Sequence, residues 1–261
     1  MTEGQQRLEA LKQKLLASAG PDGAPRPGEG YHIVFLGDSI TSTEWVHPNW
    51  REIVEYVLKQ ELGSLGSGEF GWKLAEWGIR CFNSGFDGAT LKDMYERLET
   101  DVILHKPELV IVCGGDNDMH LGRSSAECAT TLKEMLDALV HRVPGLIYMS
   151  PPSGPPERVA DEVALVEYMK PSIALFPIKD IQYVDLFSLY QQYPLSRCYT
   201  FISEEGNPYA GIEPGGIDWL HPNQLGNAYI AKIVLEHGFG ITFAPELYIK
   251  ENNECKMFPS Y

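Results

Sequence analysis

The sequence has no cluster of basic residues. Its 21 Lys and Arg residues are outnumbered by 36 Asp and Glu residues, which gives a formal net charge of −15. A protein that binds nucleic acid neutralises phosphates with a basic surface, and anionic membrane surfaces attract polybasic segments in the same way. The composition therefore argues against a nucleic-acid partner and against attachment to an anionic membrane.

Long apolar runs are also missing. A membrane-spanning helix needs about 20 consecutive apolar residues, and no segment of this sequence approaches that length. Residues 1–20 mix charged side chains with leucines and do not contain the apolar stretch of roughly 7–15 residues that marks a signal peptide. The sequence therefore predicts no membrane insertion and a cytoplasmic location; secretion stays open if a signal peptide has been removed.

The cysteines do not form a recognisable framework. There are five, an odd number without any Cys-x-x-Cys spacing: Cys81, Cys113, Cys128, Cys198 and Cys255. Disulfide scaffolds and zinc sites need paired or clustered cysteines. Neither is expected, and we predict no cofactor and no metal.

Short apolar segments alternate with amphipathic ones along most of the chain. The predicted strands are residues 31–36, 77–82, 108–113, 145–150 and 182–186. The predicted helices are residues 5–18, 50–62, 91–104, 126–142, 157–176 and 224–237. This alternation is typical of a parallel sheet covered by helices on both faces. We expect an α/β fold: a three-layer α/β/α sandwich with a five-stranded parallel sheet in a flavodoxin-like order.

The chain length suits one such domain with additional segments. We divide it into an N-terminal helix and linker (residues 1–30), a main domain (31–240) and a C-terminal extension (241–261) that packs on the domain or on a partner. Residues 190–216 show no periodicity, and a connection of that length is usually functional or disordered. The terminal segments could also serve as dimer arms, so homo-oligomerisation stays open.

Polar residues follow three of the predicted strands at the points where ligands bind in open α/β sheets, and a fourth polar segment lies just before the last predicted helix. The segments are Gly-Asp-Ser-Ile-Thr at 37–41, Asn-Ser-Gly-Phe-Asp-Gly at 83–88, Gly-Gly-Asp-Asn-Asp at 114–118 and Asp-Trp-Leu-His-Pro at 218–222. Together they supply a nucleophile, oxyanion donors and a base with its carboxylate. Those are the components of an acyl-transfer site.

These four segments, in this order and at these distances, resemble the consensus blocks of the SGNH hydrolase superfamily, also called GDSL esterases/lipases. Each block alone is weak evidence, but the four together are specific, and the resemblance extends from Tyr31 to His237. The Gly-x-Ser-x-Gly elbow of α/β-hydrolases is absent around Ser39. The resemblance implies the SGNH hydrolase fold for residues 31–240 and a serine ester hydrolase activity.

The expected catalytic residues are Ser39, Asp218 and His221. A serine hydroxyl needs a base to become nucleophilic, and His221 is expected to accept the Ser39 proton. Asp218 precedes His221 by three residues, a spacing that puts both side chains on one side of a helical turn. The resemblance further implies that the oxyanion hole is formed by the backbone N–H groups of Ser39 and Gly88 and by the side-chain amide of Asn117.

Structural roles compete with each of these assignments. A serine after a strand often caps a helix, a histidine before proline often starts one, and an Asn-Asp pair often forms a turn. We expect Asn83 to brace the Gly88 loop and Asp118 to be structural. Asp38 and Asp116 lack the His or Cys partners of a metal site. The sequence shows no ligand set around His47, His120 or His141 either, and we expect surface or core positions for these three.

The loops predicted to shape the substrate pocket are residues 43–50, 63–78, 119–123, 151–158 and 190–216. They carry many aromatic residues, which suit a sugar ring or an acyl chain, but no continuous apolar surface typical of an interfacial lipase. We therefore expect a small-molecule or carbohydrate ester as substrate, with a short acyl group such as acetyl. An acyltransferase, a lysophospholipase or thioesterase on the same triad, and a non-catalytic carbohydrate-binding relative are the alternatives.

Overall fold

Five parallel strands form the central sheet of the protein. The computed structural model describes residues 1–42, 46–69 and 71–249. The strands are β1 (Tyr31–Gly37), β2 (Ile79–Gly85), β3 (Leu109–Cys113), β4 (Gly145–Met149) and β5 (Gln182–Val184). Their order in the sheet is β2-β1-β3-β4-β5, and every neighbouring pair is parallel. This confirms the predicted five-stranded sheet and its flavodoxin-like order.

Helices connect the strands and cover both faces of the sheet. They are α1 (Glu3–Ser18), α2 (Trp50–Glu61), α3 (Lys73–Gly78), α4 (Leu91–Glu96), α5 (Leu98–Asp101), α6 (Asp116–His120), α7 (Ser125–Val140), α8 (Val159–Ile173), α9 (Leu186–Tyr190), α10 (Gln224–Ile233) and α11 (Pro245–Ile249). Helix α10 continues as a π-helical turn, Val234–Phe239. Between α9 and α10, β6 (Ile202–Ser203) and β7 (Gly216–Ile217) pair antiparallel.

Four of the helices begin at capping boxes, in which the N-cap side chain and the third helical residue satisfy each other's backbone N–H groups. The N-cap residues are Thr2, Asn49, Thr90 and Ser124. Each bond satisfies a backbone donor that the first helical turn leaves unpaired. The local sequence therefore sets where α1, α2, α4 and α7 begin.

The side chains of β1 alternate between two hydrophobic layers, as the period of a strand requires. Ile33 and Phe35 join the layer under α1, α2 and α10, whereas Val34 and Leu36 join the layer under α4, α7 and α8. All four side chains are fully buried. The sheet is therefore the middle layer of the predicted three-layer sandwich.

Both terminal segments pack on the sheet-bearing part of the chain where they are described. Leu11 and Leu15 of α1 are fully buried. Arg7 Nη1 donates to the Gly238 carbonyl and to Gln182 Oε1, each at 2.7 Å. Helix α11 contacts α10. The rest of the predicted C-terminal extension, residues 250–261, lies outside the described residues. The domain boundaries at residues 30 and 240 stay a prediction.

Several predicted elements have wrong boundaries, and three of the differences have a clear local cause. The second strand was placed at 77–82, but residues 73–78 form α3 and the strand runs from Ile79 to Gly85, because its pairing with β1 continues to Gly85. The helix at 91–104 is interrupted after Glu96, since Arg97 has φ −96° and ψ 2°. The strand at 182–186 ends at Val184, because the Asp185 side chain accepts a bond from Ser188 N–H and begins α9.

Among the described residues, no helix is long and apolar enough to cross a membrane.

Candidate active site

The first three polar segments begin where β1, β2 and β3 end, and these three strand ends lie side by side in the sheet. Gly37, the last residue of β1, pairs with Gly85 of β2 on one side and with Cys113 of β3 on the other. Because the strands are parallel, the loops that follow them all leave from the carboxyl edge. Ser39, Gly88 and Asn117 follow those strand ends within four residues, so the sheet delivers them to one rim.

The Ser39 segment is a tight turn directly after β1. The backbone N–H groups of Thr41 and Ser42 both donate to the Asp38 carbonyl, at 3.1 and 3.0 Å. A Cβ at position 37 would lie 2.2 Å from Thr41 Oγ1 and 2.8 Å from the Cys113 carbonyl oxygen, so only glycine fits there. The turn leaves Ser39 half-buried between buried neighbours.

The Gly88 loop and the Asn117 side chain are in direct contact. Asn117 Nδ2 donates to the Ala89 carbonyl oxygen at 3.1 Å. An amide group carries two N–H donors, and this bond occupies one of them. Gly88 is exposed with φ +69°, the left-handed conformation that glycine adopts without strain. The structure thus places these two predicted oxyanion donors next to each other.

Asn83 and Asp118 support this loop. Asn83 Oδ1 accepts the Gly85 N–H at 2.9 Å, at the end of β2. Asp118 Oδ2 accepts the Leu91 N–H at 2.9 Å, at the beginning of α4. The amide oxygen of Asn83 and a carboxyl oxygen of Asp118 therefore accept hydrogen bonds from backbone groups on either side of the Gly88 loop. Such bonds are typical of structural roles.

Asp218 and His221 form a buried hydrogen-bonded pair. His221 Nδ1 lies 2.7 Å from Asp218 Oδ2, and both residues are at most 7% exposed. The predicted helical turn is wrong: Asp218 Oδ1 itself accepts the N–H groups of Leu220 and His221, at 2.9 and 3.2 Å, and α10 begins only at Gln224. The carboxylate thus folds the turn with one oxygen and holds the imidazole with the other.

Residues 190–216, the long segment without periodicity, hold the Asp218–His221 turn in place. Strand β7 ends at Ile217, immediately before Asp218, and its pairing with β6 fixes where it lies. Asp218 N–H donates to the Phe201 carbonyl at 2.8 Å, and Asn223 N–H donates to the Cys198 carbonyl at 2.7 Å. Both flanks of the Asp218–His221 turn are therefore bonded to residues 198–201.

Two opposing effects act on the Asp218 carboxyl. Burial pushes its pKa upward, but the hydrogen bond and charge of His221, with the N–H groups of Leu220 and His221, outweigh burial, and the pKa lies below its ordinary value. Asp218 is thereby kept ionised. An ionised carboxylate at Nδ1 fixes the proton there and leaves Nε2 as the basic nitrogen.

A second pair of carboxyl groups lies beside Ser39. Burial raises the pKa of Asp38 well above its ordinary value, and the charge of Asp116 together with a hydrogen bond to it raises it further. Asp38 Oδ1 accepts the Ile40 N–H at 2.9 Å. The folded protein therefore favours the protonated form of the Asp38 carboxyl more than the unfolded chain does.

Some residues predicted to shape the pocket lie elsewhere. Trp72 and Trp77 adjoin the amino end of β2, at the edge of the sheet opposite the rim. Trp50 is fully buried and packs edge-on against Phe35, with ring centroids 5.2 Å apart. Trp45 lies outside the described residues. The sequence shows that these tryptophans lie close to the site motifs along the chain. It does not show whether a tryptophan lies at the amino or the carboxyl end of a strand, or in the core, so the pocket prediction was wrong for Trp50, Trp72 and Trp77.

The sequence did not predict two features of the rim. The Arg158 guanidinium lies 4.0 Å from the centre of the Trp219 ring, inside the Asp218–His221 turn. The buried side chains of Asn49 and Asn227 bond the backbone around Ile40 and Pro222. No local pattern marks either feature, since the partners are far apart in the sequence. Within the described ranges, no group of three His, Cys, Asp or Glu side chains is arranged to hold a metal ion.

The Asp38 proton gives a pH dependence with a defined sign. Below an unfolded pKa of about 3.9, Asp38 is protonated in both states. As the pH rises, the unfolded chain releases the proton before the folded protein does, because the folded pKa is raised, and folding becomes less favourable. Asp38→Asn preserves the acceptor and the donor without a titrating proton. We expect the stability of Asp38→Asn relative to wild type to rise from pH 4 to pH 8, measured by urea unfolding. A difference that stays constant over this range would contradict a raised pKa of Asp38.

The sequence and the fold both match known proteins. Residues 35–229 match the model of the GDSL-like lipase/acylhydrolase family. An acetylxylan esterase from Geobacillus stearothermophilus is 33% identical over 99 residues, which cover 35% of this chain and 42% of that protein. The match therefore spans less than half of the relative's length.

Solved structures show the same fold. An acetyl xylan esterase variant from Geobacillus stearothermophilus superposes with a TM-score of 0.61 at 21% identity, covering 82% of this chain and 97% of that one. A lipase/acylhydrolase from Enterococcus faecalis gives a TM-score of 0.57 at 22% identity, covering 80% and 96%. Other structures of the Geobacillus esterase are of catalytic mutants in which a serine, an aspartate or a histidine is replaced by alanine, the aspartate three positions before the histidine.

The family match covers all four sequence blocks, from Ser39 to His221, and extends over most of the sheet and its covering helices. This chain belongs to the GDSL-like lipase/acylhydrolase family.

Proposed function

We propose that this protein is a serine hydrolase of carboxylic esters that works through an acyl-enzyme on Ser39. The observation that carries the proposal is the buried Asp218–His221 pair, with Nδ1 and Oδ2 2.7 Å apart. Hydrogen bonds of Asn227 and Asn49 connect the backbone next to His221 with the backbone next to Ser39. A histidine held in this way by an ionised carboxylate is the base that activates a serine hydroxyl. The catalytic mutants of the Geobacillus stearothermophilus esterase support the assignment, because they involve the same three residue types with the same aspartate-to-histidine spacing.

In the first half-reaction, Ser39 Oγ attacks the ester carbonyl carbon while His221 Nε2 accepts the hydroxyl proton. The carbonyl oxygen becomes negatively charged in the tetrahedral intermediate. We assign its stabilisation to the N–H groups of Ser39 and Gly88 and to the second N–H of Asn117, the first being bonded to Ala89. When the intermediate collapses, the carbon–oxygen bond to the alcohol breaks, and His221 returns the proton to the leaving oxygen.

In the second half-reaction, water replaces the alcohol. His221 Nε2 takes a proton from the water, the hydroxide attacks the acyl carbon, and the bond to Ser39 Oγ breaks as the proton returns to that oxygen. The free acid is released. Asp218 stabilises the imidazolium that forms in each half-reaction, and it can do so because its pKa lies below the ordinary value.

For the substrate we propose a short acyl ester, such as an acetate, of a carbohydrate or another small polar alcohol. The acetylxylan esterase relative supports this class. The surface beside Gly88 fits it as well: a cavity of about 260 Å³ is lined by the acidic residues Asp87, Asp93 and Glu96, by Arg97 and by Phe86. Phe86 is 62% exposed, and the Arg97 guanidinium lies over its ring, 5.3 Å from the ring centre. Carboxylates accept hydrogen bonds from hydroxyl groups, and an aromatic face suits a sugar ring.

An ester with a long acyl chain is the second candidate, because an apolar groove of about 550 Å³ lies between α8 and α9. Val159 and Val163 line it and are about 60% exposed. Gly154, at the edge of the groove, lies next to the Asp218–His221 turn. A Cβ at position 154 would be 3.8 Å from the carbonyl oxygen of Trp219. A groove of this kind could hold the acyl chain of a lipase, lysophospholipase or thioesterase substrate.

The role of Ser39 predicts the effect of its removal. Ser39→Ala should lower kcat for p-nitrophenyl acetate by a factor of about 10³ or more, because the remaining machinery gives only residual catalysis. Ser84→Ala is the matched control: it removes a hydroxyl that donates to the Asp101 carbonyl at 2.6 Å, and it should keep kcat within a few-fold. Full activity in a folded Ser39→Ala enzyme would overturn the proposed function.

The substrate class predicts a chain-length dependence. Across p-nitrophenyl esters from acetyl to dodecanoyl, kcat/KM should be highest for acetyl and fall with chain length, and acetylated xylo-oligosaccharides should release acetate. Rising kcat/KM towards dodecanoyl, reversed by Val163→Asp in the groove, would instead establish the long-chain candidate. Accumulation of a transferred ester on an added sugar or glycerol acceptor would identify an acyltransferase.

A further inference from the structure

One buried side chain connects the segment that carries Ser39 to the segment that carries His221. Asn227 lies on the first turn of α10 and is 1% exposed. Its Oδ1 accepts the backbone N–H of Trp50, the first residue of α2, at 3.0 Å. Its Nδ2 donates to the Pro222 carbonyl at 2.7 Å and to the Asn223 carbonyl at 3.1 Å. Pro222 directly follows His221.

The start of α2 in turn holds the Ser39 turn. Asn49 Nδ2 donates to the carbonyl oxygens of Ile40 and Ser42, at 3.0 and 2.9 Å. Trp50 Nε1 also donates to the Ile40 carbonyl at 3.0 Å. Ile40 directly follows Ser39. Asn49 and Trp50 are both buried, at 1% and 0% exposure, so these bonds are shielded from water.

A continuous path of hydrogen bonds therefore runs from one catalytic segment to the other. It passes from Ile40 through Asn49 and Trp50 to Asn227, and from Asn227 to Pro222. Asn227 and Trp50 are 177 positions apart in the sequence. The nucleophile and the base come from opposite ends of the chain, and reaction rates depend steeply on the geometry between two such groups.

We propose that Asn227 is a positioning residue, which sets the placement of His221 relative to Ser39 by bonding α2 and the Pro222 backbone simultaneously. The inference rests on the proposed roles of Ser39 and His221. An amide suits the task because one planar group supplies an acceptor for Trp50 and donors for Pro222 and Asn223. An ionised carboxylate at the same place would put negative charge against the two carbonyl oxygens.

The first test is a kinetic one on Asn227→Ala. We expect kcat for p-nitrophenyl acetate to fall about 10- to 100-fold with KM unchanged within about twofold, since misplacement by 1 Å can cost about 10² in rate. Ser124→Ala is the control, because it removes the N-cap of α7 and loses stability without touching either catalytic segment. Its kcat should remain that of the wild type. A folded Asn227→Ala enzyme with wild-type kcat would overturn the proposal.

The second test uses Asn227→Asp and remains decisive if Asn227→Ala does not fold. A protonated aspartic acid has one O–H donor for Pro222 and one carbonyl acceptor for Trp50, whereas the ionised form has no donor. The ratio of mutant to wild-type kcat should therefore rise at least several-fold as the pH is lowered from 9 to 5. Dividing by the wild-type rate at each pH removes the titration of His221 and of the neighbouring Asp218.

The possible outcomes separate the two proposals. A ratio that does not change with pH means that the bonds of residue 227 do not set the rate, and it contradicts the positioning role. A loss of kcat that follows the loss of stability equally in Asn227→Ala and Ser124→Ala contradicts it as well. If instead Ser39→Ala is fully active, the proposed function itself fails, independently of Asn227.

Discussion

The site depends on three strands that end at one level. Gly37 pairs with Gly85 and with Cys113, so β1, β2 and β3 release their loops together. The absence of a side chain at Gly37 lets Thr41 fold back against the strand end, which makes the Ser39 turn tight enough to stay at that level. A shift of one residue in either pairing would move the strand ends apart and turn the side chains to the opposite faces.

His221, the proposed base, is positioned differently. It belongs to no strand of the sheet, and its position follows from hydrogen bonds: Asp218 bonds the Phe201 carbonyl, the Asp218 carboxylate folds its own turn, and Asn227 bonds the Pro222 carbonyl. The carboxyl groups at the rim differ accordingly. Contacts with His221 lower the pKa of Asp218, whereas burial beside Asp116 raises the pKa of Asp38. The environment thus shifts the pKa values of these two aspartates in opposite directions.

Features that depend on neighbouring residues were predictable from the sequence. The alternation of apolar segments predicted the five strands and their order, and the strands β1, β2 and β3 end at one level as a parallel sheet of this order requires. Boundaries were wrong where a short-range bond ended an element, as Asp185 does after β5. Trp77 and Gly78 extend the apolar run into β2, although they are helical. The contacts of Asn227 could not be predicted, because its partner Trp50 is 177 positions away and no local pattern records the pairing.

The account requires that Ser39 be the residue that becomes acylated, and a covalent label tests this directly. A fluorophosphonate reacts with a serine only where a base and oxyanion donors activate it, and it leaves a stable adduct. Mass spectrometry of the labelled and digested protein should find one adduct, on Ser39, in stoichiometric yield. An adduct on another residue, or none in a protein that hydrolyses p-nitrophenyl acetate, would contradict the account.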